Sequence, residues 1–173
     1  NLKLNDGKLV NASWIDLPYK QAFIATQGPM NSTIDDFYDM CIENNVELIF
    51  MLCKERENNT EKCATYRDGT TSSKYEVISK ENNSDNILKE REIKINYKGK
   101  DEEIAKIIQM QYLGWPDHGV PKMDESYEYF IKMFKKFEEQ CEKRNKNKYI
   151  KNIPVIVHCS AGVGRTGTFI SIY

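Results

Sequence analysis

Val155-Ile156-Val157-His158-Cys159-Ser160-Ala161-Gly162-Val163-Gly164-Arg165-Thr166-Gly167 reads as a short buried strand, a cysteine, a glycine-rich turn, an arginine and a helix start. That order of elements is the joint of an α/β fold. A loop that offers backbone N–H groups at a helix N-terminus is a ready anion site. A cysteine at its mouth is favoured as the thiolate. An arginine six residues on can fork two N–H donors onto a phosphate. One segment thus supplies a nucleophile, an oxyanion cradle and a clamp.

With five Cys and five Arg in 173 residues, a Cys followed six later by an Arg is expected by chance about 0.14 times. Requiring Gly162, Gly164 and Gly167 as well takes the chance to the order of 10⁻⁵. The pair alone is weak and the full motif is strong.

Composition supports one soluble domain, with 40% hydrophobic and 29% charged residues. The net charge of −1 gives no global basic field to draw nucleic acid or an anionic membrane, so any anion site is local. No apolar run is long enough for a membrane span, and the first residues carry no signal-peptide pattern. Cys41, Cys53, Cys63, Cys141 and Cys159 form no CxxC pair, and His118 and His158 are the only imidazoles. Neither a structural zinc site nor a disulfide framework is expected, and a reducing compartment is.

Along the chain, Ala22–Ala25 reads as a strand closed by Gly28-Pro29. Ser32 or Thr33 can cap a helix to about Asn44, with Ile34, Phe37, Tyr38, Cys41 and Ile42 inward. Glu47–Leu52 reads as a buried strand, and 54–73 as a loop or short hairpin. Strands follow at Lys74–Ser79, Leu88–Asn96 and Ile104–Tyr112, with turns at Asn82–Asn86 and Lys98-Gly99-Lys100. Asp124 or Ser126 opens a long helix to about Arg144, with Tyr127, Phe130, Met133, Phe134 and Phe137 inward. The last elements are a strand at Ile153–Val157 and a helix from Thr166.

Splitting a phosphate ester with a thiolate requires a proton donor for the leaving oxygen. Asp117 is the candidate, in the loop Leu113-Gly114-Trp115-Pro116-Asp117-His118-Gly119-Val120-Pro121, where two prolines and two glycines define turns and Trp115 is an anchor.

The segments His158–Gly167 and Trp115–Gly119 together resemble the tyrosine-specific protein tyrosine phosphatase family. Asn11-Ala12-Ser13, Thr26-Gln27-Gly28-Pro29, Thr33–Met40 (with Tyr38 where Trp is usual) and Glu57 with Lys62-Cys63-x-x-Tyr66 resemble further motifs of that family, so the likeness covers the whole chain. It implies a mixed, twisted central sheet flanked by helices, and hydrolysis of phosphotyrosine in proteins with no cofactor and no metal. Cys159 would be the nucleophile and Asp117 the general acid. Residues 160–165 (Ser160, Ala161, Gly162, Val163, Gly164, Arg165) would bind the phosphoryl oxygens. His158 would hold the cysteine, and Thr166 would offer its hydroxyl to the sulfur. Trp115 would serve as the loop's hinge, and Glu57 and Lys62 would support Arg165 and Asp117.

Phosphotyrosine-containing proteins are the implied partners, in the cytoplasm or on the cytoplasmic side of a receptor. Residues 1–173 are read as an internal part of a larger catalytic domain. The family's aromatic Lys-Asn-Arg-Tyr segment would precede residue 1, and its glutamine-bearing loop and closing helices would follow residue 173. Tyr66-Arg67-Asp68 departs from the usual Tyr-Trp-Pro. A module that binds phosphotyrosine without turnover, and a dual-specificity or lipid phosphatase, are the alternatives.

Overall fold

Three four-residue strands, apolar except for Thr26 and His158 at their ends, make the centre of the molecule. Phe23–Thr26 (β4), Leu48–Met51 (β5) and Val155–His158 (β11) are almost wholly buried. Continuous apolar strands of this kind suit a parallel sheet covered on both faces. A computed structural model describes residues 1–17, 21–116, 119, 125–146 and 153–173.

Around these three strands lies a seven-stranded mixed sheet. It is completed by Ala12–Ile15 (β3), Tyr75–Ser84 (β8), Leu88–Tyr97 (β9) and Glu103–Tyr112 (β10). The order is β3-β4-β11-β5-β10-β9-β8, with β4, β11, β5 and β10 parallel and the outer pairings antiparallel. Leu2–Lys3 (β1) pairs with Leu9–Val10 (β2), and Arg56–Glu57 (β6) with Thr60–Glu61 (β7). The second of these is the hairpin expected within 54–73.

Ile34–Glu43 (α1) packs Phe37 and Tyr38 toward Tyr66 and His158 on one face of the sheet. The other face carries Glu125–Lys146 (α2) and Gly164–Ile172 (α3). Phe137 of α2 lies 5.0 Å from both Phe50 and Phe169, ring to ring, and closes the core there. Tyr38 is fully buried and donates its hydroxyl to the Tyr66 carbonyl. The polar residues that follow Tyr66 make surface pairs: Arg67 binds Glu55 at 2.9 Å, and Asp68 accepts from the backbone and side chain of Ser79.

The structure corrects three sequence expectations. Asn82, Asn83 and Ser84 belong to β8, not to the turn. Asp85 accepts from the N–H groups of Ile87 and Leu88 and closes a tighter turn, which lets residues 83–84 pair with Glu90 and Lys89. Tyr127 is 40% exposed, because the buried row of α2 begins at Phe130, where the helix meets Tyr112 and Trp115. The last helix starts at Gly164 instead of Thr166, since both glycine and arginine here take up helical geometry directly after the turn.

Candidate active site

Parallel strands end together, and the crevice beyond their carboxyl ends is where open α/β sheets bind ligands. Thr26, His158 and Met51 stand in register at those ends. Cys159 follows His158 immediately, at the middle of the sheet.

Neighbouring strand ends brace the loop after Cys159. Gly28 N–H donates to the Ser160 carbonyl at 2.9 Å, and Leu52 N–H to the His158 carbonyl at 2.8 Å. Gly162 has φ +73°, and a Cβ there would fall 2.3 Å from the Thr26 carbonyl carbon and oxygen. Only glycine fits, because both the backbone conformation and the space exclude a side chain. Gly28 is equally confined: a Cβ would lie 2.5 Å from the Cys63 Cβ and 2.7 Å from the Cys159 carbonyl oxygen. The Thr26–Pro29 stretch is therefore the platform of the Cys159 loop.

Starting α3 at Gly164 places Arg165 in its first turn, where N–H groups have no intrahelical partner. Arg165 bonds Glu57 through two parallel contacts, Nη1 to Oε1 at 2.7 Å and Nη2 to Oε2 at 2.8 Å. It also donates to the Leu52 carbonyl at 3.1 Å and the Pro116 carbonyl at 3.2 Å. The bond with Glu57 raises the Arg165 pKa further, so the cation is permanent.

A cavity of about 320 Å³ is lined by Cys159, Ser160, Gly164, Arg165 and Thr168 together with Glu57, Lys62, Trp115 and Gly119. Trp115 is buried, donates from Nε1 to the Gly119 carbonyl at 3.0 Å, and meets Phe130 edge to face at 5.8 Å. Asp117 and His118 lie outside the described residues.

His158 is completely buried, and burial pushes its pKa down to about 4. Its Nδ1 is 3.0 Å from the Cys159 carbonyl oxygen and its Nε2 is 2.8 Å from the Tyr66 hydroxyl. Cys159 is itself 5% exposed. All five cysteines are free thiols, and burial pushes the Cys41 and Cys141 pKa values up, the latter to about 12. These two are core hydrophobes.

The structure thus brings Cys159, Ser160, Gly164, Arg165, Glu57, Lys62 and Trp115 together. Ala161, Gly162 and Val163 do not line the cavity. Gly162 faces the β4 platform, and the Val163 side chain is 73% exposed. Thr166 is fully buried in the first turn of α3, and its hydroxyl has no hydrogen-bond partner, so the expected bond to the sulfur is not made. Two residues with a place at the site escaped sequence reasoning. Thr168 stands four residues after Gly164, on the same helix face, a spacing that could have flagged it. Tyr66 was noted only as part of a motif, and nothing local in the sequence couples it to His158.

Among the described residues, no helix is long and apolar enough to cross a membrane. The family model for protein-tyrosine phosphatase matches residues 2–173. Receptor-type tyrosine-protein phosphatase S of Gallus gallus is 39% identical over 170 residues, covering 94% of this chain and 10% of that protein. Tyrosine-protein phosphatase 1 of Dictyostelium discoideum is 35% identical over 176 residues, covering 92% of this chain and 32% of that protein. The solved catalytic domain of human protein tyrosine phosphatase non-receptor type 18 shares the fold with a TM-score of 0.77 at 30% identity, over 96% of this chain and 57% of that one. The chain therefore spans only part of the length of each relative. A match that runs from residue 2 to residue 173, and a cavity that gathers the very motifs carrying the likeness, place this chain in the protein-tyrosine phosphatase family.

Proposed function

We propose that this chain hydrolyses phosphotyrosine in proteins through a cysteinyl-phosphate intermediate. The observation that carries the reading is the meeting of Cys159 and the Glu57-clamped Arg165 in one cavity with the Trp115-Pro116 loop. The Cys159 thiolate attacks phosphorus, the S–P bond forms and the P–O bond to tyrosine breaks. Charge in the transition state sits on three equatorial oxygens. Arg165 and the amides at the start of α3 are the donors for it. Because Glu57, Leu52 and Pro116 take the Arg165 Nη hydrogens, the guanidinium exchanges its exposed Pro116 contact for a substrate oxygen while Glu57 holds its plane.

Asp117 gives its proton to the departing tyrosine oxygen, then takes one from the water that releases phosphate from sulfur. Its sequence neighbours support this role: Pro116 accepts from Arg165, and Gly119 lines the cavity. Phosphotyrosine proteins are the substrates this reading implies, in the cytoplasm.

Release of phosphate from a phosphotyrosine peptide tests it, with Cys159→Ser and Asp117→Ala as controls. Turnover by the natural chain, abolished by Cys159→Ser and reduced about 10²–10⁴-fold by Asp117→Ala, is expected. Peptide binding without phosphate release would overturn the enzyme reading in favour of a binding module. Comparable rates on phosphoserine peptides or phosphoinositides would overturn tyrosine specificity.

A further inference from the structure

The carboxylate that clamps Arg165 sits on a very short hairpin. β6 and β7 share only the pairs Arg56 with Glu61 and Glu57 with Thr60. The turn between them holds Asn58 and Asn59 at φ +48° and +61°, and residues 58–61 are exposed. A two-stranded ribbon of this size is marginal by itself, so support at its base matters.

Glu55 is that base, and each of its acceptor oxygens has a donor. Its carbonyl takes the Lys62 N–H at 2.8 Å and the Cys63 N–H at 3.4 Å, which joins the two arms of the hairpin. One carboxylate oxygen accepts from Arg67 Nη2 at 2.9 Å, and the other from Gln111 Nε2 at 3.2 Å. Gln111 also donates to the Cys53 carbonyl at 3.1 Å, two residues before Glu55. The Gln111 oxygen is held in turn by Arg91 Nη1 at 2.9 Å.

Gln111 is a firm support, because it is buried in β10, which pairs with β5 on one side and β9 on the other. Glu55 therefore ties the hairpin to the middle of the sheet, with Arg67 as its second, charge-assisted tie. Arg67 belongs to Tyr66-Arg67-Asp68, where this chain departs from its family. The tie leads straight to the cavity. Glu57 lies two residues beyond Glu55, and its Oε1 accepts from the Lys54 N–H at 3.1 Å and from Arg165 Nη1 at 2.7 Å. Lys62, whose N–H the Glu55 carbonyl holds, lines the cavity as well.

We propose that Glu55 and Arg67 are positioning residues, which with Gln111 hold the 56–62 hairpin so that Glu57 meets Arg165 before substrate arrives. The proposal rests on the phosphatase reading for its kinetic consequence only. Hydrogen exchange of the backbone amides in 56–62 reads the tie without any substrate.

Arg67 is partly exposed, so Arg67→Met should leave the fold intact. It is expected to speed exchange in 56–62 about tenfold, to leave β5 and β11 unchanged, and to lower kcat/KM on a phosphotyrosine peptide about fivefold. Glu55→Gln is expected to act in the same direction, and Arg67→Lys to recover most of the activity. Added to Glu57→Gln, Arg67→Met should lower activity no further, because its effect runs through the clamp. Unchanged exchange in 56–62 overturns the proposal. So does faster exchange with unchanged kcat/KM, or losses that multiply in the double variant. Absence of turnover in the wild type would defeat the phosphatase reading alone, and exchange in 56–62 would then decide the tie by itself.

Discussion

Arg165 is clamped by Glu57 through two parallel hydrogen bonds of 2.7 and 2.8 Å, and both side chains are largely withdrawn from solvent. The guanidinium plane is thereby fixed before any substrate arrives. Glu57→Gln keeps the size and loses one acceptor and the charge. It is expected to lower kcat/KM roughly 10- to 100-fold on a phosphotyrosine peptide, in line with loss of a charge-assisted bond. Arg165→Lys, which cannot make the fork, is expected to lose about 10³-fold. Steady-state kinetics on both variants checks the order.

Gly162 and Gly167 stand five residues apart and are expected to respond oppositely to alanine. At Gly162 the new Cβ meets the Thr26 backbone at 2.3 Å with φ at +73°. Destabilisation of about 2–4 kcal/mol is expected there. At Gly167, inside α3, nothing lies within 4 Å, so alanine is expected to be neutral or to stabilise by up to about 1 kcal/mol. Thermal denaturation of the two variants measures the contrast.

His158 makes stability depend on pH. Its folded pKa, about 4, lies below the ordinary value of 6.5. Above 6.5 both folded and unfolded states hold a neutral ring and the group contributes no slope. As pH falls from 6.5 to 4 the unfolded state takes up the proton first, so stability drops. The loss is about 2 kcal/mol between pH 7 and pH 5. Urea unfolding at the two pH values should show it, and His158→Gln should remove that part of the slope.

Phe137→Ala opens the core between the sheet and the two helices that cover it. The ring is wholly buried against Phe23, Phe50 and Phe169. A cost of about 3–5 kcal/mol is expected in denaturant unfolding. None of these rings lines the cavity at Cys159, so any fall in activity should track the folded fraction.

The sequence was most legible where one local rule decided the outcome. Val155–Val157 and Leu48–Met51 are apolar without interruption, so their burial followed from composition alone. The spacing of Cys159, the glycines and Arg165 announced the anion loop. Position was harder to read wherever a distant partner set it. Asn82–Ser84 look like turn residues, yet pairing with Lys89 and Glu90 draws them into a strand. Val163 and Thr166 sit inside the motif, but the turn at Gly162 sends one outward and the other into the core. Arg91 and Gln109 lie in stretches with the alternation of ordinary strands, and only the pairing of β9 with β10 brings their buried side chains together.

The strand that leads into Cys159 also has a consequence for how the molecule comes to be made. β11 follows every other strand in sequence, yet it sits between β4 and β5 and bonds to both. During synthesis those two strands have no partner between them until residues 155–158 emerge. The sheet closes, and the cavity exists, only at that late step. Pairing across more than a hundred residues carries a loop-closure cost that slows folding. A chain halted before β11 would leave two apolar strand edges bare and in need of protection from aggregation.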